Sequence, residues 1–149
     1  MRKIIPVLIL FFLIAACENP ITFVWDVRVE TDSETYTFPE TVTVSINNES
    51  ENPVDIRLCD GDPYYELQRQ VGVEWQAVIV TDCPGDEIFE SLAVGQNRMF
   101  SIDLSIIEDE EEVAGTYRLK VVVYPDGERI VRLPESMRIS NTFIVSESE

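Results

Sequence analysis

The alternation of apolar and polar residues in short segments most constrains what this chain can fold into. In the segment 41–46, Val42, Val44 and Ile46 alternate with threonine and serine. Because successive side chains of a β-strand point to opposite sides of a sheet, this period predicts a strand with one buried face. No long stretch shows the period of about 3.6 residues that an amphipathic helix requires.

The same alternation recurs between turn residues along the chain. Strands are predicted at 21–30, 41–46, 54–59, 64–70, 73–80, 99–104, 116–124 and 141–145, with a turn at 125–127 leading into 128–133. Pro39, Pro53, Pro63, Pro84, Pro125 and Pro134 fall between these segments, where a missing N–H does least harm. Short strands with turns at regular spacing predict an all-β protein, an antiparallel β-sandwich of seven to eight strands.

The first sixteen residues predict an export signal. Arg2 and Lys3 precede an uncharged stretch at 4–16, which is shorter than the ~20 residues that a membrane-spanning helix needs. The segment 14–17, Ile-Ala-Ala-Cys, resembles the lipobox of bacterial lipoproteins. That resemblance implies cleavage before Cys17, diacylglycerol on its sulfur and often acylation of the new amino terminus. An ordinary secretory signal cut near residue 16 is the alternative.

This interpretation divides the chain into a signal peptide at 1–16, a short lipidated tether at 17–20 and a domain at 21–149. It places the protein in the bacterial cell envelope, anchored through acylated Cys17 to the outer membrane or to the outer leaflet of the plasma membrane. Two or three acyl chains hold a protein on a bilayer, whereas one alone binds marginally. Loss of residues 1–16 removes Arg2 and Lys3 and no acid, which changes the formal net charge from -17 to -19.

The composition excludes several classes of function. The chain has 28 acidic and 11 basic residues and no histidine. Without histidine there is no Ser-His-Asp or Cys-His nucleophile system and no His-ligated zinc site. The negative charge argues against nucleic acid as a partner, since binding to phosphates needs a cationic face. No alternative catalytic set stands out, so we expect a protein that is not an enzyme.

Cys59 and Cys83 are predicted to form a disulfide. Exported proteins meet an oxidising compartment, and an even number of cysteines remains once Cys17 is lipidated. The bridge would close a loop of about 25 residues and contribute ~3.5 kcal/mol in the chain-entropy model. Two unpaired buried thiols or a redox pair are the alternatives.

Acidic residues flank both of these cysteines and suggest a calcium site. Calcium takes about six to eight oxygen ligands, and a bridge would bring two acidic loops together. The candidate ligands are Asp60, Asp62, Asp82, Asp86 and Glu87. Acidic turns are also common in a chain this negative, and a solvated surface is the simpler interpretation. The longest acidic run, 108–112, is likewise predicted to be a solvated loop.

Four short segments resemble Ig-like sandwiches of bacterial exported lipoproteins and the intracellular proteinase inhibitor family. They are 47–48, 92–95, 115–119 and 140–145, and the similarity spans about residues 40–146. The resemblance implies an Ig-like fold. It also implies that Tyr117 is the tyrosine-corner residue of such folds, whose hydroxyl bonds the backbone.

Two functions follow as hypotheses. The first is a membrane-anchored, non-enzymatic Ig-like domain that binds another protein or supports an envelope assembly, in a protease-inhibitor-like manner if a loop carries the activity. The alternative is a calcium-dependent or carbohydrate-binding module that uses the acidic loops around Cys59 and Cys83. Trp25, Trp75 and the pair Tyr64-Tyr65 are candidates for a carbohydrate platform, although core positions are the simpler interpretation of the tryptophans.

Overall fold

A computed structural model describes residues 24–85, 87–107 and 112–148, and this part of the chain is built almost entirely of β-strands. It has twelve strands and no α-helix. The strands are β1 (Val27–Thr31), β2 (Thr35–Phe38), β3 (Thr41–Asn48), β4 (Val54–Cys59), β5 (Asp62–Pro63), β6 (Tyr65–Val71), β7 (Glu74–Val80), β8 (Ile88–Leu92), β9 (Asn97–Asp103), β10 (Gly115–Val121), β11 (Val123–Pro125) and β12 (Phe143–Glu147). Two 3₁₀ turns lie at Leu104–Ile107 and Glu135–Met137.

The strands form three hydrogen-bonded sheets. The first has the order β1-β3-β9, and the second has the order β2-β12-β10-β6-β7. In the third, β4 pairs with β11, β5 and β8. All pairs are antiparallel except that of β2 with β12, which is parallel. The prediction of an all-β sandwich is therefore confirmed.

One hydrophobic core joins the inward faces of these sheets. Its residues in β3 and β10 follow the predicted alternation, with Val42, Val44, Ile46, Tyr117, Leu119 and Val121 all buried. Full burial of one such aliphatic side chain contributes about 1.5–3 kcal/mol. The core therefore depends on the period-two pattern that dominates the sequence.

The structure has more strands than the seven to eight expected, because several elements are short or divided. The predicted strand 116–124 breaks at Val122, where the chain leaves the second sheet as β10 and enters the third as β11. The strands β2, β5 and β8 were not expected. Pro63 and Pro125 lie inside two very short strands rather than between strands.

One predicted strand differs from the structure in part, and another is wrong. The segment 21–30 begins its described strand only at Val27, and residues 21–23 lie outside the described residues. The segment 128–133 is a loop, not a strand. In this loop Ile130 and Val131 are exposed while Leu133 is buried, so the apolar residues do not share a face.

Two of the segments that resemble Ig-like sandwiches meet through a buried asparagine. The Asn48 side-chain amide donates to the Leu92 carbonyl at 2.9 Å, and the Gly95 N–H donates to the Asn48 carbonyl at 2.8 Å. The Tyr117 hydroxyl donates to the Val113 carbonyl at 2.6 Å, which confirms the expected bond to the backbone. These contacts fix the ends of the central strands.

Candidate functional site

Cys59 and Cys83 form the predicted disulfide, and their Cα atoms lie 5.5 Å apart. Cys59 ends β4, and Cys83 lies in the segment that follows β7. The bridge therefore links β4 of the third sheet to the segment that follows β7 of the second sheet. A shallow cavity of about 270 Å³ lies beside it, lined in part by Leu58, Pro84 and Ile88.

The predicted calcium ligands occupy separate surroundings. The Glu87 carboxylate pairs with Arg57 at 3.0 Å, and the Asp62 carboxylate lies 3.9 Å from the Arg98 guanidinium. Asp60 lies in the turn between β4 and β5, and Asp82 precedes the bridged Cys83; Asp86 lies outside the described residues. Within 24–85, 87–107 and 112–148, no group of three or more acidic or cysteine side chains is placed to hold a metal ion. The calcium site stays a prediction.

The predicted lipidation site and most of the acidic run are not among the described residues. Cys17 and residues 108–111 lie outside the described residues. At the end of the run, the Glu112 carboxylate pairs with Arg69 at 2.6 Å. In the part of the chain that the structure describes, no helix is long and apolar enough to cross a membrane.

The aromatic residues do not form one platform. The Trp75 ring lies under the Arg118 guanidinium at 4.4 Å, and the Tyr64 ring lies under that of Arg57 at 4.7 Å. Tyr65 packs against Phe100, with ring centroids 5.9 Å apart. Trp25 packs against the core and lines a cavity of about 450 Å³ that the start of the loop after β11 also borders.

The most unusual surface is the loop between β11 and the second 3₁₀ turn, residues 126–134, here called the 126–134 loop. Ile130 is 90% exposed and Val131 is 61% exposed. Because these two adjacent β-branched side chains are exposed to water, they do not contribute the free energy that burial of such side chains ordinarily gives. An exposed apolar pair of this kind is a candidate contact for a partner.

The first half of the loop is clamped by one buried carboxylate. Asp55 in β4 is 3% exposed, and its Oδ2 accepts the Gly127 N–H at 3.3 Å and faces Arg129 Nε at 3.5 Å. Gly127 has a φ of +68°, a conformation that glycine adopts without strain. The Arg129 guanidinium also lies 4.4 Å from the Phe89 ring centroid. The loop therefore leaves β11 in a defined direction.

The second half of the loop is held by backbone and by a buried arginine. The Leu133 N–H donates to the Val123 carbonyl at 3.0 Å, and Arg138 Nε donates to the Leu133 carbonyl at 2.7 Å. Burial, and then the nearby charge of Arg132, lower the pKa of the Arg138 guanidinium. Ile130 and Val131 thus lie between two fixed points.

Arg132 adds a positive charge to the loop. Ion pairs among the described residues occupy Arg28, Arg57, Arg69, Arg98, Arg118, Lys120 and Arg129. Arg132 is exposed and is the one exposed cation of this part of the chain with no carboxylate at ion-pairing distance. In a chain of net charge -17, a cation with no ion pair among the described residues, beside an exposed apolar pair, is a distinctive surface.

This site could not be predicted from the sequence, because the contact that defines it joins distant parts of the chain. Glu128-Arg129-Ile130-Val131-Arg132-Leu133 follows a turn, and its polar and apolar residues gave no sign of the clamp. The partner of Arg129 is Asp55, more than seventy residues away along the chain. The turn signal at 125–127 was the only local indication that the chain leaves the sheet here.

No protein-family model and no curated protein matches the sequence. Solved structures with a similar arrangement include the Pseudomonas fluorescens alkylpurine DNA glycosylase AlkC bound to DNA containing an abasic site analog, at 13% identity and a TM-score of 0.47. A β-glucosidase from Listeria innocua in complex with glucose is similar at 16% identity and a TM-score of 0.39. The PapD-like domain 7 of human CEP192 is similar at 15% identity and a TM-score of 0.34.

The extent of these similarities differs. The chain is covered over 81%, 84% and 90% of its length, and it spans 30%, 16% and 93% of the three proteins in the same order. It thus spans less than a third of each of the two enzymes. At these identities and TM-scores, the similarities carry no argument about what the chain does.

Proposed function

We propose that this chain is a lipid-anchored, non-enzymatic envelope protein whose Ig-like sandwich binds another protein through the 126–134 loop. The observation that carries the proposal is the presentation of Ile130 and Val131 on a loop clamped at both ends. A loop that is already ordered loses little conformational freedom when it binds, so more of its contact energy appears as affinity.

The chemistry of the loop defines the partner surface. Ile130 and Val131 would fill an apolar pocket, and Arg132 would pair with a carboxylate at its rim. Arginine is enriched among the residues that dominate binding energies, and a desolvated apolar centre ringed by polar groups is the usual arrangement. The strongly negative remainder of this chain would repel acidic proteins that lack such a pocket.

The anchor in this proposal is Cys17. The lipobox-like residues 14–17 support it, and Cys17 lies only seven positions before Val24, where the described part of the chain begins. Seven extended residues reach at most about 25 Å, so acylation would keep the sandwich near the bilayer surface.

Site-specific photo-crosslinking tests the binding surface in cells that make the full chain. A photoreactive residue at Val131 is expected to give a discrete crosslinked species with another protein. The control is the same residue at Ile144, which lies on β12 and is exposed to a similar degree. Arg132→Glu should weaken the Val131 crosslink. Equal crosslinking at both positions, or no effect of Arg132→Glu, would contradict the proposal.

Metabolic labelling with an alkyne fatty acid tests the anchor separately. The wild-type chain should be labelled and recovered with membranes, whereas Cys17→Ser should lose the label. If Cys17→Ser keeps the label, the acylation site is elsewhere. This outcome would remove the anchor from the proposal and would leave the binding surface to be judged by crosslinking.

A further inference from the structure

We infer that the cavity beside Trp25 binds a guanidinium group, carried by an arginine side chain or by a small guanidinium compound. The cavity has a volume of about 450 Å³ and is lined by Trp25, Asn52, Pro53, Pro125, Asp126 and Glu128. This volume lies within the range of about 300–1,000 Å³ that is usual for small-molecule sites. The inference is independent of the proposed binding through Ile130 and Val131, which do not line the cavity.

The charge of the cavity wall favours a cation. Asp126 and Glu128 are both exposed, and neither carboxylate has an ion pair among the described residues. No described lysine or arginine lines the cavity. Two such carboxylates repel anionic ligands and attract cationic ones, and the net charge of -17 adds to this field.

The uncharged part of the wall suits the flat, weakly hydrated face of a guanidinium. Trp25 is half-buried, and tryptophan is the aromatic side chain that attracts cations most strongly over its ring face. Pro53 and Pro125 add apolar surface against which an aliphatic stem can pack. A guanidinium stacks on a ring while its N–H groups bind carboxylate oxygens, whereas an ammonium is a compact and strongly hydrated charge.

The described part of the chain stacks its own arginines in this way three times. Arg57, Arg118 and Arg129 lie 4.7, 4.4 and 4.4 Å from the centroid of an aromatic ring. Each of these guanidinium groups also faces a carboxylate, at 3.0, 3.8 and 3.5 Å respectively. In the cavity the ring and the carboxylates belong to this chain, and the guanidinium would come from the ligand.

Hydrogen bonding favours a guanidinium over a sugar as the occupant. The ionised carboxylates of Asp126 and Glu128 only accept hydrogen bonds, and the two prolines have no N–H to donate. The donors among the lining side chains are the Asn52 amide and the Trp25 indole. Sugar hydroxyls need both donors and acceptors, whereas a guanidinium only donates and therefore matches a wall rich in acceptors.

The walls of the cavity are held in place before a ligand binds. Pro125 belongs to the ladder between β11 and β4, and the Glu128 N–H donates to the Pro125 carbonyl at 3.0 Å. On the other wall, the Asp26 N–H donates to Ser50 Oγ at 2.9 Å, which fixes the residue that follows Trp25. A preformed site loses little conformational freedom on binding, so more of the contact energy appears as affinity.

Titration of the full chain, extracted in an uncharged detergent, tests the site through the fluorescence of Trp25. The chain has two tryptophans, so Trp75→Phe leaves Trp25 as the only reporter. The probe is Nα-acetyl-arginine amide, and the matched control is Nα-acetyl-citrulline amide, which has a similar shape without the charge. The arginine derivative should bind at least about tenfold more tightly, because only its charge interacts with the ring and the carboxylates.

Removal of both carboxylates should weaken the same binding. In the Trp75→Phe chain, Asp126→Asn with Glu128→Gln should raise the dissociation constant of the arginine derivative about tenfold. Glu34→Gln with Glu74→Gln changes the net charge equally at exposed positions outside the cavity and should leave the constant unchanged. If the cavity variant does not fold, as judged by urea unfolding, the comparison of the arginine and citrulline derivatives still decides.

A photoreactive residue at Asn52, in cells that make the full chain, distinguishes the two sources of the guanidinium. A protein adduct that is lost with Asp126→Asn and Glu128→Gln assigns the group to an arginine of that protein. Without such an adduct, the group is assigned to a small compound.

Three outcomes of the titration would overturn the inference. The first is no change in Trp25 fluorescence with the arginine derivative, or equal binding of the citrulline derivative. The second is an unchanged dissociation constant in the folded chain that lacks both carboxylates. The third is tighter binding of a neutral sugar such as maltose than of the arginine derivative, which would assign the cavity to carbohydrate.

Discussion

The two edge strands of the five-stranded sheet, β2 and β7, differ in whether side chains hydrogen-bond their backbone. At β2, the Thr37 N–H donates to the Glu40 carboxylate at 2.5 Å and the Thr35 N–H donates to Ser33 Oγ at 3.2 Å. At β7, no described side chain hydrogen-bonds the backbone of residues 75–80. The difference teaches that one sheet can bond the backbone of one edge strand with its own side chains and leave that of the other edge strand without such bonds.

The largest expected effect concerns the packing that holds β2. Phe143 in β12 is 1% exposed, and its ring contacts Tyr36 of β2 and Tyr117 of β10, with centroids 5.3 and 6.0 Å apart. Phe143→Ala should lower the free energy of unfolding by about 3–5 kcal/mol, measured by urea denaturation. Ile144→Ala, the next residue on the opposite and exposed face, should change it by less than about 0.5 kcal/mol. Equal losses would show that Phe143 does not hold this edge.

The second effect concerns the segment that follows β7, which the Cys59–Cys83 disulfide links covalently to β4. Replacing Cys59 and Cys83 together by alanine should cost about 3.5 kcal/mol, since the bridge closes a loop of about 25 residues. Hydrogen exchange should increase most between β7 and β8. The wild-type chain with the bridge reduced is the control, and it should match the double variant. Unchanged stability in both would mean that this segment does not need the bridge.

A smaller effect tests the polar contacts at the β2 edge. The Tyr36 hydroxyl donates to Asp32 Oδ1 at 2.7 Å and accepts the Ser33 N–H at 2.9 Å. Tyr36→Phe should cost about 1 kcal/mol of unfolding free energy. Tyr64→Phe is the control, since no described group bonds the Tyr64 hydroxyl, and it should be close to neutral. A larger loss in the control would contradict this account.

A pH dependence of stability is also expected from the β2 edge. Burial, followed by the bond to Asp32, raises the pKa of Tyr36 from 10.0 to about 12. Below its ordinary pKa the stabilisation is complete, and it is lost as pH rises from about 10 to about 12, because the unfolded chain ionises first. Urea denaturation across this range should show the decline. Tyr36→Phe should flatten it, and an unchanged slope in that variant would argue against the assignment.

The Asp32 carboxylate contributes in the opposite direction of pH. Its slight burial acts to raise the pKa, but bonds from the Tyr36 hydroxyl and the Thr43 N–H outweigh it and lower the pKa below 3.8. The stabilisation is therefore present above the ordinary pKa and is lost as pH falls through the lowered one. Asp32→Asn should reduce this acid sensitivity in the same measurement.

The local alternation of apolar and polar residues predicted which strand residues are buried. It did not predict which strands lie at the edges of the sheets. Val42, Val44 and Ile46 are buried as their spacing predicts, because a strand alternates by geometry alone. The edges depend on which strands become neighbours, and β2 pairs with β12 across more than a hundred residues. No local pattern contains that information.

The candidate site likewise contains one part that the sequence predicted and one part that it did not. The Cys59–Cys83 bridge was predicted from the expectation that the chain is exported, since exported chains with two remaining cysteines tend to pair them. The 126–134 loop was not, because its clamp joins Arg129 to a buried aspartate on a distant strand. The sequence predicted a strand that includes Ile130 and Val131. The burial of Leu133 and its hydrogen bond with Arg138 hold this segment as a loop instead.

If the protein is tethered at one end and bound at the other, as we propose, the change of sheet at Val122 has a mechanical consequence. The chain enters the 126–134 loop from β11, a direct continuation of β10, the middle strand of the five-stranded sheet. It returns beside the same strand, where the Val121 N–H donates to the Arg138 carbonyl and the Ser140 N–H to the Leu119 carbonyl, each at 2.8 Å. A force applied at Ile130 is therefore shared by the hydrogen bonds at both ends of the loop. It is transmitted to the middle strand of the sheet and does not act on an edge strand.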